Sequence, residues 1–188
     1  MKKLLIALFV LVFLAVIAGV GALYYVKPDQ SLDLAYEEVP LKDRAIDMAR
    51  RMSLELILTD NDLSNLAKKS LAENPKVEQD IVVTGAEFTL EGDRLIADLN
   101  VLWKDWVSAG LQITYRLRWQ DPNVIADVLE ARLKGLPLPK SMLDSRVIPI
   151  AQELPKPLKI ESMNWGRGEV AVTFRKPSLK DLQELIGG

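Results

Sequence analysis

The hydrophobic pattern divides the chain into an uncharged N-terminal run and a longer region of mixed elements. Residues 4–26 contain no charged side chain. In a helix, at about 1.5 Å per residue, this run spans roughly 30 Å, the thickness of the hydrocarbon core of a bilayer. Lys2 and Lys3 precede it, so the positive-inside rule places the N-terminus in the cytoplasm and the C-terminal domain outside the cell. The pattern predicts a single-pass transmembrane anchor over residues 1–26.

A cleaved signal peptide is the alternative interpretation of the same run. The small residues around Val20, Gly21 and Ala22 would suit a cleavage site. The apolar run is longer than the roughly 7–15 residues of a signal-peptide core, which favours an uncleaved anchor. Both interpretations remain open from the sequence.

The region after the anchor begins with a polar segment and two predicted helices. Residues 27–40 are polar with two prolines and are interpreted as a stalk, which leaves residues 41–188 as the extracytoplasmic domain. Apolar residues at helical spacing predict a helix over 41–53, whereas 54–58 fits either a strand or its extension. A second helix is predicted from the caps at Thr59 and Asp60 to Asn74.

From residue 77 the period of the pattern changes to two. In 94–103 and 111–119 every second residue is apolar, and polar residues such as Asp98, Asn100, Arg116 and Arg118 lie on the opposite face. This alternation is typical of antiparallel strands with one buried face. Apolar rows of this length need a cover, and the amphipathic helices can supply it. The sequence therefore predicts an α+β fold, with a curved antiparallel sheet covered by helices after the transmembrane helix.

The C-terminal third gives weaker signals. Residues 123–134 fit a helix or a strand, and residues 140–154 carry a helical stripe that Pro149 interrupts. Gly166 and Gly168 indicate a hairpin between two apolar segments. A short last helix is predicted after Ser178.

The inventory of reactive side chains argues against an enzyme. The chain has no histidine and no cysteine, which removes the commonest general base, thiol nucleophiles, disulfides, a lipoprotein anchor and the usual ligands of zinc or haem. Thr59 to Asp62 is rich in oxygen, but it lacks the spacing of a calcium loop and suits a helix N-terminus. We expect no enzymatic activity, no metal and no cofactor.

Two pairs of residues are candidates for ligand binding. Trp103 and Trp106 lie at and beyond a predicted strand end, where they either pack in the core or contact a sugar, lipid headgroup or peptide. Leu136 and Leu138 alternate with prolines in GLPLP. The prolines are expected to stop a strand and lead into a helix, with the two leucines against the core or at the mouth of a cleft.

The segments DLSNLAKKSL and GLPLP, placed between an N-terminal anchor and a terminal hairpin, resemble the YpmS-like family of membrane-anchored proteins of Gram-positive bacteria. The resemblance is carried by Leu63, Asn65, Leu66 and Leu71 and by residues 135–139. It implies that residues 124–134 form a strand. It supplies no catalytic residues.

These observations favour a membrane-anchored, extracytoplasmic module that binds a lipid or another apolar ligand, without enzymatic activity. The alternative is a structural or assembly protein of the cell envelope that acts through a protein partner. Without Lys2 and Lys3 the chain has 22 basic and 26 acidic side chains, so nucleic acid is not an expected partner.

Overall fold

A curved antiparallel sheet, bent into a half-barrel, dominates an α+β fold. The computed structural model describes residues 2–51, 53–139, 143–148, 150 and 158–176, with side chains of the first helix described from Leu11 onward. The described helices are α1 (Lys2–Tyr25), α2 (Leu41–Arg50) and α3 (Asp60–Glu73). The described strands are β1 (Glu55–Thr59), β2 (Lys76–Glu78), β3 (Ile81–Glu91), β4 (Arg94–Trp103), β5 (Val107–Gln120), β6 (Asn123–Leu133), β7 (Leu136–Pro137), β8 (Arg146–Ile148), β9 (Ile160–Trp165) and β10 (Glu169–Phe174).

The strands form two sheets rather than the one that the sequence suggests. The larger sheet has the order β2-β3-β4-β5-β6-β7, and β8 pairs with the N-terminal part of β6. The smaller sheet has the order β1-β10-β9. Every strand pair in both sheets is antiparallel. The predicted class and the curved antiparallel sheet are confirmed.

Helix α1 occupies the uncharged run, and its described side chains are exposed. Leu11, Phe13 and Val20 are each about 60% accessible or more. Within the part of the chain whose side chains are described, no helix has both the length and the apolarity required to cross a membrane.

Two hydrophobic clusters hold the domain together. The first joins the smaller sheet and α2 to one end of the larger sheet, with Phe174 fully buried among Ala45, Val172 and Leu90. The second lies on the apolar face of β3 to β5, where Leu71 of α3 packs against Val83 and its neighbours. Helix α3 therefore covers part of the large sheet, as the amphipathic pattern predicts.

The start of α3 is fixed by a reciprocal capping arrangement. The Thr59 side chain accepts a hydrogen bond from the Asp62 N–H, and the Asp62 carboxylate accepts one from the Thr59 N–H. Asp60 accepts the N–H of Leu90, which ties the helix to β3. This confirms that Thr59 to Asp62 acts as a helix N-terminus.

Other sequence expectations are corrected in the C-terminal half. The region 123–134 is a strand, as the resemblance implies. Arg146–Ile148 is also a strand, not part of a helix, because it pairs with Val124–Ala126 at the edge of the sheet. Residues 143–145 are not helical, and residue 150 is helical. The rest of the predicted helix over 140–154 and the predicted last helix lie outside the described residues.

The GLPLP segment continues the sheet instead of ending it. Lys134 and Gly135 have φ angles of 48° and 81°, the left-handed conformation of a two-residue hairpin turn. Leu133 and Leu136 then pair, so β7 folds back along β6. Pro137 is tolerated there because β7 lies at the sheet edge, where a missing N–H breaks no essential ladder bond.

The segment predicted to be a stalk is in contact with the domain. Residues 26–33, which we term the crossing segment, pass over one face of the large sheet from β5 to β3. Val26 O accepts a hydrogen bond of 3.0 Å from Gly110 N–H. Gln30 O accepts one of 2.8 Å from the Asn100 side chain, and Asp33 O accepts one of 3.1 Å from Ala86 N–H. The crossing segment therefore contacts three adjacent strands, β5, β4 and β3.

Two glycines make this crossing possible. Gly85 and Gly110 both pair with Asn100 on the neighbouring strand, so the three residues share one face in a row across the sheet. A Cβ atom on Gly85 would lie 2.1 Å from Leu32 O, and one on Gly110 would lie 3.2 Å from the Pro28 Cα. The backbone of the crossing segment occupies the space that side chains would otherwise take.

Candidate functional site

An open cleft of about 470 Å³ lies on the polar side of the large sheet, beside β6 and β7. Its walls combine charged and apolar side chains. The lining residues are Arg94, Thr114, Arg116, Leu129, Glu130, Ala131, Pro137 and Leu138. The cleft therefore offers one cationic wall and one apolar wall, with one carboxylate, Glu130, that is already paired with Arg132 at 2.8 Å.

The cationic wall is formed by arginines on adjacent strands. Arg94 of β4 and Arg116 of β5 are register partners and lie on the same face. Arg116 is 3.6 Å from Asp93, and both side chains are about half exposed, so this pair is weak. No carboxylate among the described residues lies within 4 Å of the Arg94 guanidinium. Like charges on opposed cross-strand positions repel, so an anionic group placed between them would relieve the repulsion.

The apolar wall comes from the end of the hairpin between β6 and β7. Leu138 N–H donates to Ala131 O at 2.8 Å, which holds this leucine against the edge of β6. A register shift in β6 opposite Thr114 and Tyr115 leaves Leu129 outside the regular pairing and next to the cleft. Leu136 is 52% exposed and does not line the cleft.

The two tryptophans lie far from the cleft. Trp103 and Trp106 are at the hairpin between β4 and β5, and they are 45% and 66% exposed. The expectation that Trp103 packs in the core is wrong, because the hairpin extends beyond the part of the sheet that the helices cover. Nine residues separate Arg94 from Trp103 along β4, about 30 Å in a strand. The structure therefore brings Leu138, but neither tryptophan, to the cleft.

A second polar cluster lies along β6 next to the short strand β8. The Arg118 Nε is 2.5 Å from Asp127 Oδ2, and Ser145 Oγ donates to Asp127 Oδ1 at 3.1 Å. The hydrogen bond from Arg118 lowers the pKa of Asp127 and keeps it ionised. Because Asp127 accepts hydrogen bonds from both Arg118 and Ser145, this cluster is a structural link from β6 to the segment before β8.

Sequence reasoning missed the arginine pair. Arg94 stands at the start of a predicted strand and Arg116 in the middle of another, and neither position is unusual alone. Their pairing depends on a turn centred at Asp105, which sets every register pair between β4 and β5. The WKDW stretch carries no glycine or proline to mark that turn, so the signal was too weak to fix the register.

Comparisons with protein-family models, with curated proteins and with solved structures found no match. The resemblance to the YpmS-like family therefore remains a prediction. Any functional argument has to come from the cleft and the surfaces themselves.

Proposed function

We propose that this protein is a membrane-anchored, extracytoplasmic module, without enzymatic activity, that binds a lipid or another apolar ligand in the cleft beside β7. The anchor is α1, supported by the uncharged run over residues 4–26 and by the exposed apolar side chains from Leu11 onward. A helix that is apolar on all sides needs an apolar environment around it. Membership of the YpmS-like family is part of the same proposal.

The observation that carries the ligand proposal is the pairing of two walls in one cleft. Leu129, Pro137 and Leu138 offer apolar surface, and Arg94 and Arg116 face them with charge that is incompletely paired. Ligand sites commonly combine apolar lining with a few convergent polar groups. The ligand that fits is an amphiphile, with an apolar part along the leucines and an acidic group at the arginines.

The location of the cleft differs from the one expected from the sequence. The centre of the apolar face of the sheet is packed, since Val83, Ala97 and Ile113 are 4% exposed or less. The proposed site lies instead on the opposite, polar face, between Arg94 at the start of β4 and the hairpin between β6 and β7. A ligand reaching it comes from the aqueous side or is lifted out of the bilayer.

Photolabelling tests the ligand proposal. The full-length protein, reconstituted in phospholipid vesicles, is irradiated with a diazirine-bearing palmitate, and labelled peptides are mapped by mass spectrometry. We expect label in the peptide that contains Leu129 to Leu138, and we expect Leu138→Gln to reduce it by about fivefold because it removes apolar surface from the wall. Label in α1 serves as an internal reference for bilayer exposure.

Ile57→Gln is the matched control, because Ile57 is a half-exposed apolar strand residue outside the cleft. It should leave labelling of the cleft peptide unchanged. Label confined to α1, or equal labelling of the Leu138→Gln variant, would contradict ligand binding in this cleft.

An assembly role is the second candidate, and one surface favours it. Val147 and Ile148 of the edge strand β8 are 61% and 38% exposed, and they pair with the N-terminal part of β6 at the edge of the sheet. Exposed apolar edge strands favour pairing with another chain. Under this alternative, Val147→Lys abolishes recovery of a defined envelope partner after cross-linking, whereas the photolabelling of the cleft does not change.

A further inference from the structure

The hairpin between β4 and β5 presents two large aromatic side chains to solvent. Trp103 and Trp106 flank a tight turn in which Lys104 and Asp105 have φ angles of 51° and 64°. The Lys104 ammonium lies 5.1 Å from the centre of the Trp103 ring. Tryptophan is highly buried on average, and neighbouring exposed tryptophans indicate a contact surface.

The same end of the sheet receives the end of α1. Val26, one residue beyond α1, accepts a hydrogen bond from Gly110, and Gly110 is three residues, about 10 Å, from Val107 at the base of the hairpin. Tyr24 and Tyr25 are 75% and 52% exposed. The Lys27 ammonium lies 5.3 Å from the Tyr24 ring centre. Two exposed tyrosines therefore directly precede Val26, which is bound about 10 Å along β5 from the base of the tryptophan hairpin.

We infer that the hairpin over residues 103–107 inserts Trp103 and Trp106 into the lipid–water interface next to the point where α1 leaves the bilayer. The inference rests on the proposed anchor and adds a second membrane contact to it. Tryptophan and tyrosine favour the headgroup region, where the ring is apolar and the N–H or O–H stays hydrated. Lys104 and Lys27 extend from the same region, where an ammonium can reach lipid phosphates.

Continuity with the end of α1 favours a phospholipid surface over a protein partner. A helix in the membrane places Val26 at the outer surface, and the crossing segment holds Val26 to the sheet through Gly110. The hairpin is fixed to the same strand and so lies at that surface. A protein partner for the hairpin would have to fit between the domain and the bilayer.

Depth-dependent quenching in full-length protein tests the inference. The chain has no cysteine, so Trp106→Cys supplies a unique thiol for a bimane label. The labelled protein is reconstituted in phosphatidylcholine–phosphatidylglycerol vesicles that carry shallow doxyl lipids. We expect at least about twofold quenching of this label, because the interfacial aromatic layer lies at the depth of the quencher.

Gln120→Cys is the matched control. Gln120 is exposed at the opposite end of β5, about 40 Å from Val107 at strand spacing, and its label should not be quenched. Unlabelled protein gives a second measurement that leaves the hairpin intact. Brominated lipids should quench the intrinsic fluorescence of the parent protein more than that of Trp103→Phe/Trp106→Phe, which retains Trp119 and Trp165.

The possible outcomes test the membrane contact of the hairpin separately from the anchor. Quenching at position 106 with none at 120 supports the inference. Protein that floats with vesicles while both labels remain unquenched overturns the hairpin contact and leaves the anchor in place. Protein that does not float overturns the anchor and the inference together. A label at 106 that becomes shielded from aqueous iodide without lipid quenching assigns the hairpin to a protein partner and also overturns it.

Discussion

At the scale of single residues, Asp62 is the one buried charged side chain among the described residues. It is 6% exposed and accepts hydrogen bonds from the Thr59 N–H, from the Thr59 hydroxyl and, at 2.7 Å, from the Arg44 guanidinium. Burial alone would raise the pKa of Asp62, but the bonds from Arg44 and Thr59 outweigh burial and lower it. One carboxylate thus joins α2 to the first turn of α3.

We expect Asp62→Asn to lower the free energy of unfolding by about 2 kcal/mol at pH 7, because the cap weakens and Arg44 loses its charged partner. Urea unfolding followed by circular dichroism measures the change. The control is Asp47→Asn, which removes an exposed carboxylate 3.7 Å from Arg50 and should cost less than about 0.5 kcal/mol. Equal stability of the two variants would show that Asp62 is not a structural link.

The same substitution has a pH signature. A pKa lower in the folded than in the unfolded state gives stability that is present above the unfolded value and is lost as pH falls through the folded value. The stability difference between the parent protein and Asp62→Asn should therefore be largest near neutral pH and shrink below about pH 4. A difference that stays constant down to pH 2.5 would contradict the lowered pKa.

At the scale of elements, the crossing segment shows how the sheet recognises a stretch of chain through its backbone. Val26 O, Gln30 O and Asp33 O are the acceptors, and Lys134 adds an ion pair to Asp29 and a 3.0 Å bond to Lys27 O. Every residue type has a backbone carbonyl group, but these carbonyls can bind the sheet only where the two backbones approach closely. That approach is provided by Gly85 and Gly110.

We expect Gly85→Ala to displace the crossing segment and to lower stability by about 1–3 kcal/mol, since the new methyl group meets a backbone oxygen that cannot rotate away. Hydrogen exchange reports it directly: the Ala86 amide, which donates to Asp33 O, should exchange faster. Gly110→Ala is the graded comparison, with a 3.2 Å contact and a smaller effect. Unchanged exchange at Ala86 in Gly85→Ala would refute the close approach.

The sequence predicted elements whose signals are local and missed those that depend on distant pairing. The cap at Thr59 and the alternation over 94–103 depend on residues that are close together in the sequence, and both were confirmed. The pairing of β1 with β10 joins residues more than a hundred positions apart, so no local pattern marks the second sheet. For the cleft, Leu138 was among the expected ligand-binding residues, whereas Arg94 and Arg116 required the register of β4 and β5.

At the scale of the whole molecule, the proposed anchor, the hairpin and the cleft lie along one direction of the large sheet. The end of α1 and the Trp103 hairpin share one end of β4 and β5, and Arg94 marks the other. Measured along β5 from Gly110, which binds Val26, the cleft lies between about 10 Å, at Ile113 opposite Ala131, and about 20 Å, at Arg116. This arrangement suits a module that meets its ligand away from the bilayer while staying bound to it.

Retention of α1 in the mature protein is the prediction at this scale. Protein extracted from membranes of the cell that produces it should keep its N-terminal peptide, because the apolar run exceeds a signal-peptide core. Mass spectrometry of the intact chain distinguishes the two forms. A mature chain that starts at Leu23 would rule out the anchor, and an Ala22→Leu variant, which removes the small residue next to the alternative cleavage point, provides the comparison.

The contacts of the crossing segment also set an order of events during synthesis. The acceptors at Lys27 and Gln30 leave the ribosome early, but their donors Lys134 and Asn100 follow 107 and 70 residues later. At about 5–20 residues per second, several seconds pass before the sheet can bind this segment. Under the proposed anchoring, α1 enters the membrane first, and the sheet binds the crossing segment next to the bilayer only after β6 is complete.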